Sequence, residues 1–185
     1  PRAGPCNAGA MGINHLAFAS RDIKATHRFY TEVMGFRLVK TIAAPTPEGG
    51  WARHVFFDTG EGALQSIAFW DLHVPGIDEV KTDLSKSVGL PGWVNHIAFD
   101  SRTLEHMEQM RERWREHGCY VAHVDHGFCQ SIYTTDPNGI TVEFCCTLRD
   151  FDDTDVAEAE ALLSADEPPL SEAPEATFFP PVARV

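Results

Sequence analysis

Along residues 13–19, large apolar side chains alternate with small or polar ones. Leu16 and Phe18 fall on one face, and His15, Ala17 and Ala19 on the other. A period of two is the pattern of a half-buried strand. Asp22 then stands as an N-cap. Ile23, Phe29, Tyr30, Val33 and Met34 recur at helical spacing over 23–34, and Gly35 ends the run. Residues 36–42, 52–58 and 63–70 read as three more strands, separated by a loop at 45–50 and a Gly-rich turn. The order is β-α-β-β-β.

The second half repeats this order. A strand at 94–99 leads into a helix over 104–117, stopped by Gly118. Strands follow at 119–124, 131–134 and 140–146, the last two joined by the turn Asp136-Pro137-Asn138-Gly139. The repetition extends to the residues themselves: Ile13-Asn14-His15-Leu16-Ala17-Phe18 returns as Val94-Asn95-His96-Ile97-Ala98-Phe99. Self-similarity on this scale means one folding unit used twice. The expected class is α+β, two tandem βαβββ modules whose mixed sheet cups a metal site. Residues 1–10 read as a leader before Met11. The domain covers 11–148, with module one at 12–72, a linker at 73–92 and module two at 93–148. Residues 149–185 form an acidic, Pro-rich tail with a short helix near 156–163. Its 164–181 stretch has the composition of a linker or a disordered segment, and Phe178-Phe179 offers a way to dock it.

The net charge of −12 belongs largely to that tail, which carries −9 from residue 150 onward. The near-neutral body has no electrostatic footprint for nucleic acid or for an anionic membrane. No apolar run is long enough to span a bilayer. The five cysteines form no CxxC pair, and their odd count without a secretion signal points to reduced thiols in the cytoplasm.

Strand alternation assigns the chemistry to one face. His15 and His96 lie opposite the large apolar residues of their strands and share their faces with alanines. In the last strand, Glu143 lies with Thr141 and Cys145, opposite Ile140, Val142 and Phe144. The apolar faces are expected on the helices, leaving space beside His15, His96 and Glu143. Two imidazoles and a carboxylate with open positions suit non-haem Fe(II), and Mn(II) or Zn(II) as alternatives. Cys145 shares the face of Glu143, and a thiolate there would favour zinc.

The paired modules with His, His and Glu resemble the vicinal oxygen chelate superfamily over residues 12–148. That superfamily includes glyoxalase I, methylmalonyl-CoA epimerase, fosfomycin-resistance proteins and type I extradiol ring-cleaving dioxygenases. Val124-Asp125-His126, followed after five residues by Ile132-Tyr133-Thr134-Thr135-Asp136-Pro137-Asn138-Gly139-Ile140-Thr141-Val142-Glu143, is similar to the extradiol signature. The resemblance implies that Glu143 is an iron ligand beside His15 and His96. It implies that His126 hydrogen-bonds bound oxygen species and that Tyr133 hydrogen-bonds a substrate hydroxyl. The partners it implies are a small aromatic substrate and O2, with a homodimer as a possible assembly.

Two departures from the pattern matter. Larger extradiol enzymes carry a further histidine just before the fourth strand of this module pair. Residues 58–64 hold none here, leaving His54 as a substitute base. Glyoxalase I and the epimerase use a fourth protein ligand from strand four. Counting from Asp58 against Asp136 selects Gln65 for that place, and counting from Gly62 against Gly139 selects Ser66. A metal-free protein that sequesters a planar ligand is the remaining class, with Trp51, Phe56, Trp70, Trp93 and Phe128 as lining.

Overall fold

The computed structural model describes residues 12–60, 65–77 and 79–183. It divides into two compact units, between Asp83 and Leu84. The first holds β1 (His15–Ala19), α1 (Ile23–Arg28), β2 (Arg37–Pro45), β3 (Trp51–Asp58) and β4 (Ser66–His73). Its sheet runs β1-β4-β3-β2, with β1 parallel to β4 and the other pairs antiparallel.

Asp22 caps α1 as its position predicts, its Oδ1 accepting from the Lys24 and Ala25 amides at 2.9 and 3.0 Å. The single helix expected over 23–34 instead tightens only as far as Arg28. It then opens into a π turn, Phe29–Val33. The wider turn carries Phe29, Tyr30 and Val33 on its buried side. Tyr30 is fully buried, 4.7 Å from Phe69 and 5.6 Å from Phe57 between ring centroids. These rings form the core beneath one face of the sheet.

The second unit holds β5 (His96–Asp100), α2 (Leu104–Glu116), β6 (Val121–Asp125), β7 (Cys129–Thr135), β8 (Thr141–Thr147), α3 (Asp153–Ser164) and β9 (Ala176–Phe179). Its order is β5-β8-β7-β6-β9, again with the first pair parallel. Helix α2 buries Met107, Met110 and Trp114, and Trp114 lies 5.4 Å from Phe144. The Asp136 carboxylate accepts from the Asn138 and Ile140 amides, each at 2.8 Å, and so locks the turn into β8.

The tail is more ordered than its composition suggests. Helix α3 starts on a capping box between Asp152 and Asp155, and Arg149 grips Asp155 through two 2.6 Å bonds. No α3 residue is buried. After an exposed connection, β9 joins the edge of β6 as a fifth, antiparallel strand. Arg111 and Arg115 lie over the Phe179 ring at 4.6 and 5.7 Å. Arg115 also donates to the Pro180 carbonyl at 2.9 Å and accepts from the Val182 amide at 3.0 Å. A four-residue strand inside a Pro- and Glu-rich stretch leaves no periodic signal, so the linker expectation fails at 176–179. Among the described residues, no helix is long and apolar enough to cross a membrane.

Candidate functional site

In the second unit the parallel register sets Ala98 against Glu143 and His96 against Thr141. The antiparallel register sets Tyr133 directly across from Glu143. His96, Glu143 and Tyr133 therefore share one face, opposite the one that packs on α2. His96 Nδ1 lies 3.0 Å from the Trp93 carbonyl, which can only accept, so that nitrogen carries the hydrogen. The other nitrogen, Nε2, is left facing Glu143 Oε2 at 3.1 Å. A bare lone pair against a buried carboxylate is repulsive, so a proton or a cation belongs between them. The 3.1 Å separation is close to the span of two adjacent ligands bound about 2.1 Å from one ion. The Trp93 contact also fixes the tautomer that a metal-binding imidazole needs.

Tyr133 stands edge-on to the His96 ring, 6.1 Å away at 83°. Its hydroxyl shares a 3.1 Å hydrogen bond with His126 Nε2. Burial, reinforced by the charge of Glu143, pushes the Tyr133 hydroxyl up to about 12. It therefore keeps its proton at neutral pH and acts as a donor. Burial likewise pushes the Cys145 thiol up to about 11.

The first unit repeats the frame with different side chains. His15 Nδ1 is 2.8 Å from Asn14 Oδ1, which leaves Nε2 unengaged by that bond. Phe56 stands edge-on to the His15 ring at 5.6 Å and 66°, as Tyr133 does to His96. The register pairs His15 with Ser66, Ala17 with Ala68, and Phe56 with Ala68. Ala68 therefore holds the place of Glu143, and Phe56 that of Tyr133. Neither Gln65 nor Ser66 occupies the fourth-ligand place. Gln65 precedes β4, and Ser66 is the counterpart of Thr141. Ala68 is fully buried and has no donor atom.

His54 lies on the His15 face but is packed in, stacked on Trp70 at 3.8 Å and 10° and 4.1 Å from Phe56. Its Nε2 is sealed from solvent without a partner. Burial, and then the charge of His15, hold its pKa below the usual histidine value. The substitute-base role drawn from sequence for His54 therefore loses support. The aromatic set suggested for sequestration is also split. Trp51 lies on the helix-side face, stacked on His73 at 3.8 Å, whereas Trp70 and Phe56 lie on the other.

The structure thus brings together four of the five expected site residues, His96, Glu143, Tyr133 and His126. The fifth, His15, belongs to the first unit. Among the described residues, no group of three or more His, Cys, Asp or Glu side chains forms a metal-binding cluster. The sequence reading missed Ala68, and placed Phe56 only among aromatics that could line a pocket. The only signal for Ala68 was the β1–β4 strand register, which counting along the chain does not supply because the intervening loops differ in length.

The model of the Glyoxalase/Bleomycin resistance protein/Dioxygenase superfamily matches residues 12–144, and the chain belongs to that superfamily. Proteins of this superfamily typically bind divalent metals. Many are enzymes, and some are non-enzymatic binding proteins. No curated protein matches the sequence closely enough to count as a relative. Among solved structures, the chain is similar to a glyoxylase/bleomycin resistance protein/dioxygenase domain from Frankia sp. EAN1pec. That match has a TM-score of 0.57 and 15% identity, over 75% of this chain and 99% of that one. It is also similar to the fosfomycin resistance protein FosX of Listeria monocytogenes, at 0.52 and 19%, over 75% and 96% of the two chains. TnmS3, an antibiotic binding protein from Streptomyces sp. CB03234, aligns at 0.51 and 15%, over 76% and 99%. At these identities the likenesses establish the fold alone.

Proposed function

We propose that the protein is a non-haem Fe(II)-dependent dioxygenase of the extradiol type, opening a catecholic ring with O2. His15, His96 and Glu143 would hold the metal. The observation that supports this reading is Ala68, which has no donor atom and holds in the first sheet the register position of Glu143 in the second. Ala68 stands where a fourth ligand would be, which disfavours the epimerase and glyoxalase I alternatives. When bound, ferrous iron in a two-histidine, one-carboxylate site supplies open positions and redox chemistry for a bidentate substrate and oxygen. Mn(II) would fill the same role, whereas Zn(II) has no redox chemistry.

The remaining steps belong to this chain's own residues. The tethered Nδ1 of His96 keeps Nε2 aimed at the metal position. The Tyr133 hydroxyl, protonated at neutral pH, donates to one oxygen of the substrate and orients it. His126 would donate from Nε2 to the Tyr133 oxygen, so that a proton passed from the hydroxyl to anionic substrate oxygen is replaced from His126. The test is oxygen uptake by anaerobically Fe(II)-reconstituted protein across a panel of catechols. Uptake with a yellow ring-opened product supports the reading. No uptake with iron shown to be bound contradicts it and favours sequestration of a planar ligand.

A further inference from the structure

The helix-side face of the first sheet carries a cavity that the proposed chemistry does not use. It is an open cleft of about 320 Å³ between α1 and strands β2 and β3, a size suited to a small ligand. Every charged side chain that lines it is basic, Lys24, Arg28 and Arg53, with His27 beside them. In a chain of net charge −12, such a lining points to an anion.

Arg53 is held in advance of any ligand. Its Nε and a terminal nitrogen bond Asp71 Oδ2 at 2.8 and 2.6 Å, and its guanidinium lies 5.2 Å over the Trp51 ring. Trp51 stacks on His73, and His73 Nε2 is 3.1 Å from the same Asp71 oxygen. This chain of contacts fixes the guanidinium plane while leaving N–H donors unused. Lys24 and Arg28 lie four residues apart on α1, a spacing that brings side chains to one side of a helix. Asp71 serves Arg53 and His73, and Asp22 accepts the α1 cap amides, acting on Lys24 and Arg28 only through its charge. Thr41 adds a hydroxyl, and Ile23 and Val55 add apolar wall.

We propose that this cavity is a binding site for a compact organic anion, one carboxylate or phosphate group on a small apolar body. Arg53 is the fixed anchor, and Lys24 and Arg28 close over the charge. The site is independent of the face that carries His15. Charge-assisted hydrogen bonds of this kind are the strong ones, and they weaken with salt where exposed.

The test titrates full-length protein at low ionic strength with benzoate and, separately, with inorganic phosphate, followed by amide NMR shifts and calorimetry. The expected result is one saturable site for at least one probe, with shifts confined to α1, β2 and β3. Lys24→Ala with Arg28→Ala should weaken it at least ~10-fold, leaving the melting temperature and Fe(II) binding unchanged. A response to benzoate alone assigns a carboxylate, and one to phosphate alone a phosphate ester. Thr41→Val, which removes one donor, should weaken binding less. Absence of saturable binding by both probes, or equal binding by the double variant, overturns the proposal.

Discussion

Ala68 in the first sheet occupies the register position that Glu143 holds in the second: each sits two residues beyond the partner of its module's histidine. Their surroundings match as well, with Ala17 and Phe56 beside one and Ala98 and Tyr133 beside the other. Ala68→Glu is therefore a direct probe of the three-donor account. A carboxylate there without a cation lowers the stability of the metal-free protein by several kcal/mol. Added divalent metal should restore more of the melting temperature in the variant than it adds to the wild type. Equal metal-induced shifts in the two proteins would count against the donor assignment.

Tyr133→Phe converts the second frame into the first, where Phe56 already stands. Fe(II) binding should persist, while kcat/KM for the catechol falls roughly 10²-fold, as for loss of a proton-transfer group. His126→Asn should behave alike, and the double variant should lose little more than either single one, because the two share one hydrogen bond. Steady-state oxygen uptake on the three variants measures this.

Arg111 and Arg115 clamp the last strand through the Phe179 ring. Arg111→Ala with Arg115→Ala should release β9, at about 1 kcal/mol for each half-buried cation–π contact. The readout is hydrogen exchange: amides of 176–182 lose protection while those of β7 and β8 keep it. Unchanged protection at 176–182 would mean that the pairing with β6 holds the tail unaided.

The start of α3 carries a pH dependence. The Arg149 side chain, with the Asp152 amide, lowers the Asp155 carboxyl from 3.8 to about 2. A depressed folded-state pKa contributes stability that is fully present above the unfolded value and lost as pH falls through the folded one. The first turn of α3 should hold above pH 4 and fray toward pH 2, seen in the amide shifts of Thr154 and Asp155. Arg149→Gln should move that fraying up toward pH 4.

Much of this architecture is legible in the chain. His15 and His96 announce the repeat, and alternation alone puts Glu143 on the face of His96. The fourth-ligand place was not legible, for a reason that lies in the loops. Pairing makes Asp58 the counterpart of Thr135, not of Asp136, since Asp58 faces Ser66 as Thr135 faces Thr141. The connection between β3 and β4 is also two residues longer than that between β7 and β8. Both counts that lead to Gln65 or Ser66 cross that connection, whereas the β1–β4 hydrogen bonds do not. The π turn at Phe29 is hidden for a related reason. Its apolar spacing is helical, and only the packing of Tyr30 against Phe57 and Phe69 selects the wider turn.

Anaerobic Fe(II) titration of the wild type and of four single variants addresses the three-donor centre most directly. One ferrous ion per chain is expected in the wild type and in Tyr133→Phe, with binding lost in His15→Ala, His96→Ala and Glu143→Ala. Iron retained at full stoichiometry and similar affinity in Glu143→Ala or in His15→Ala would contradict the account.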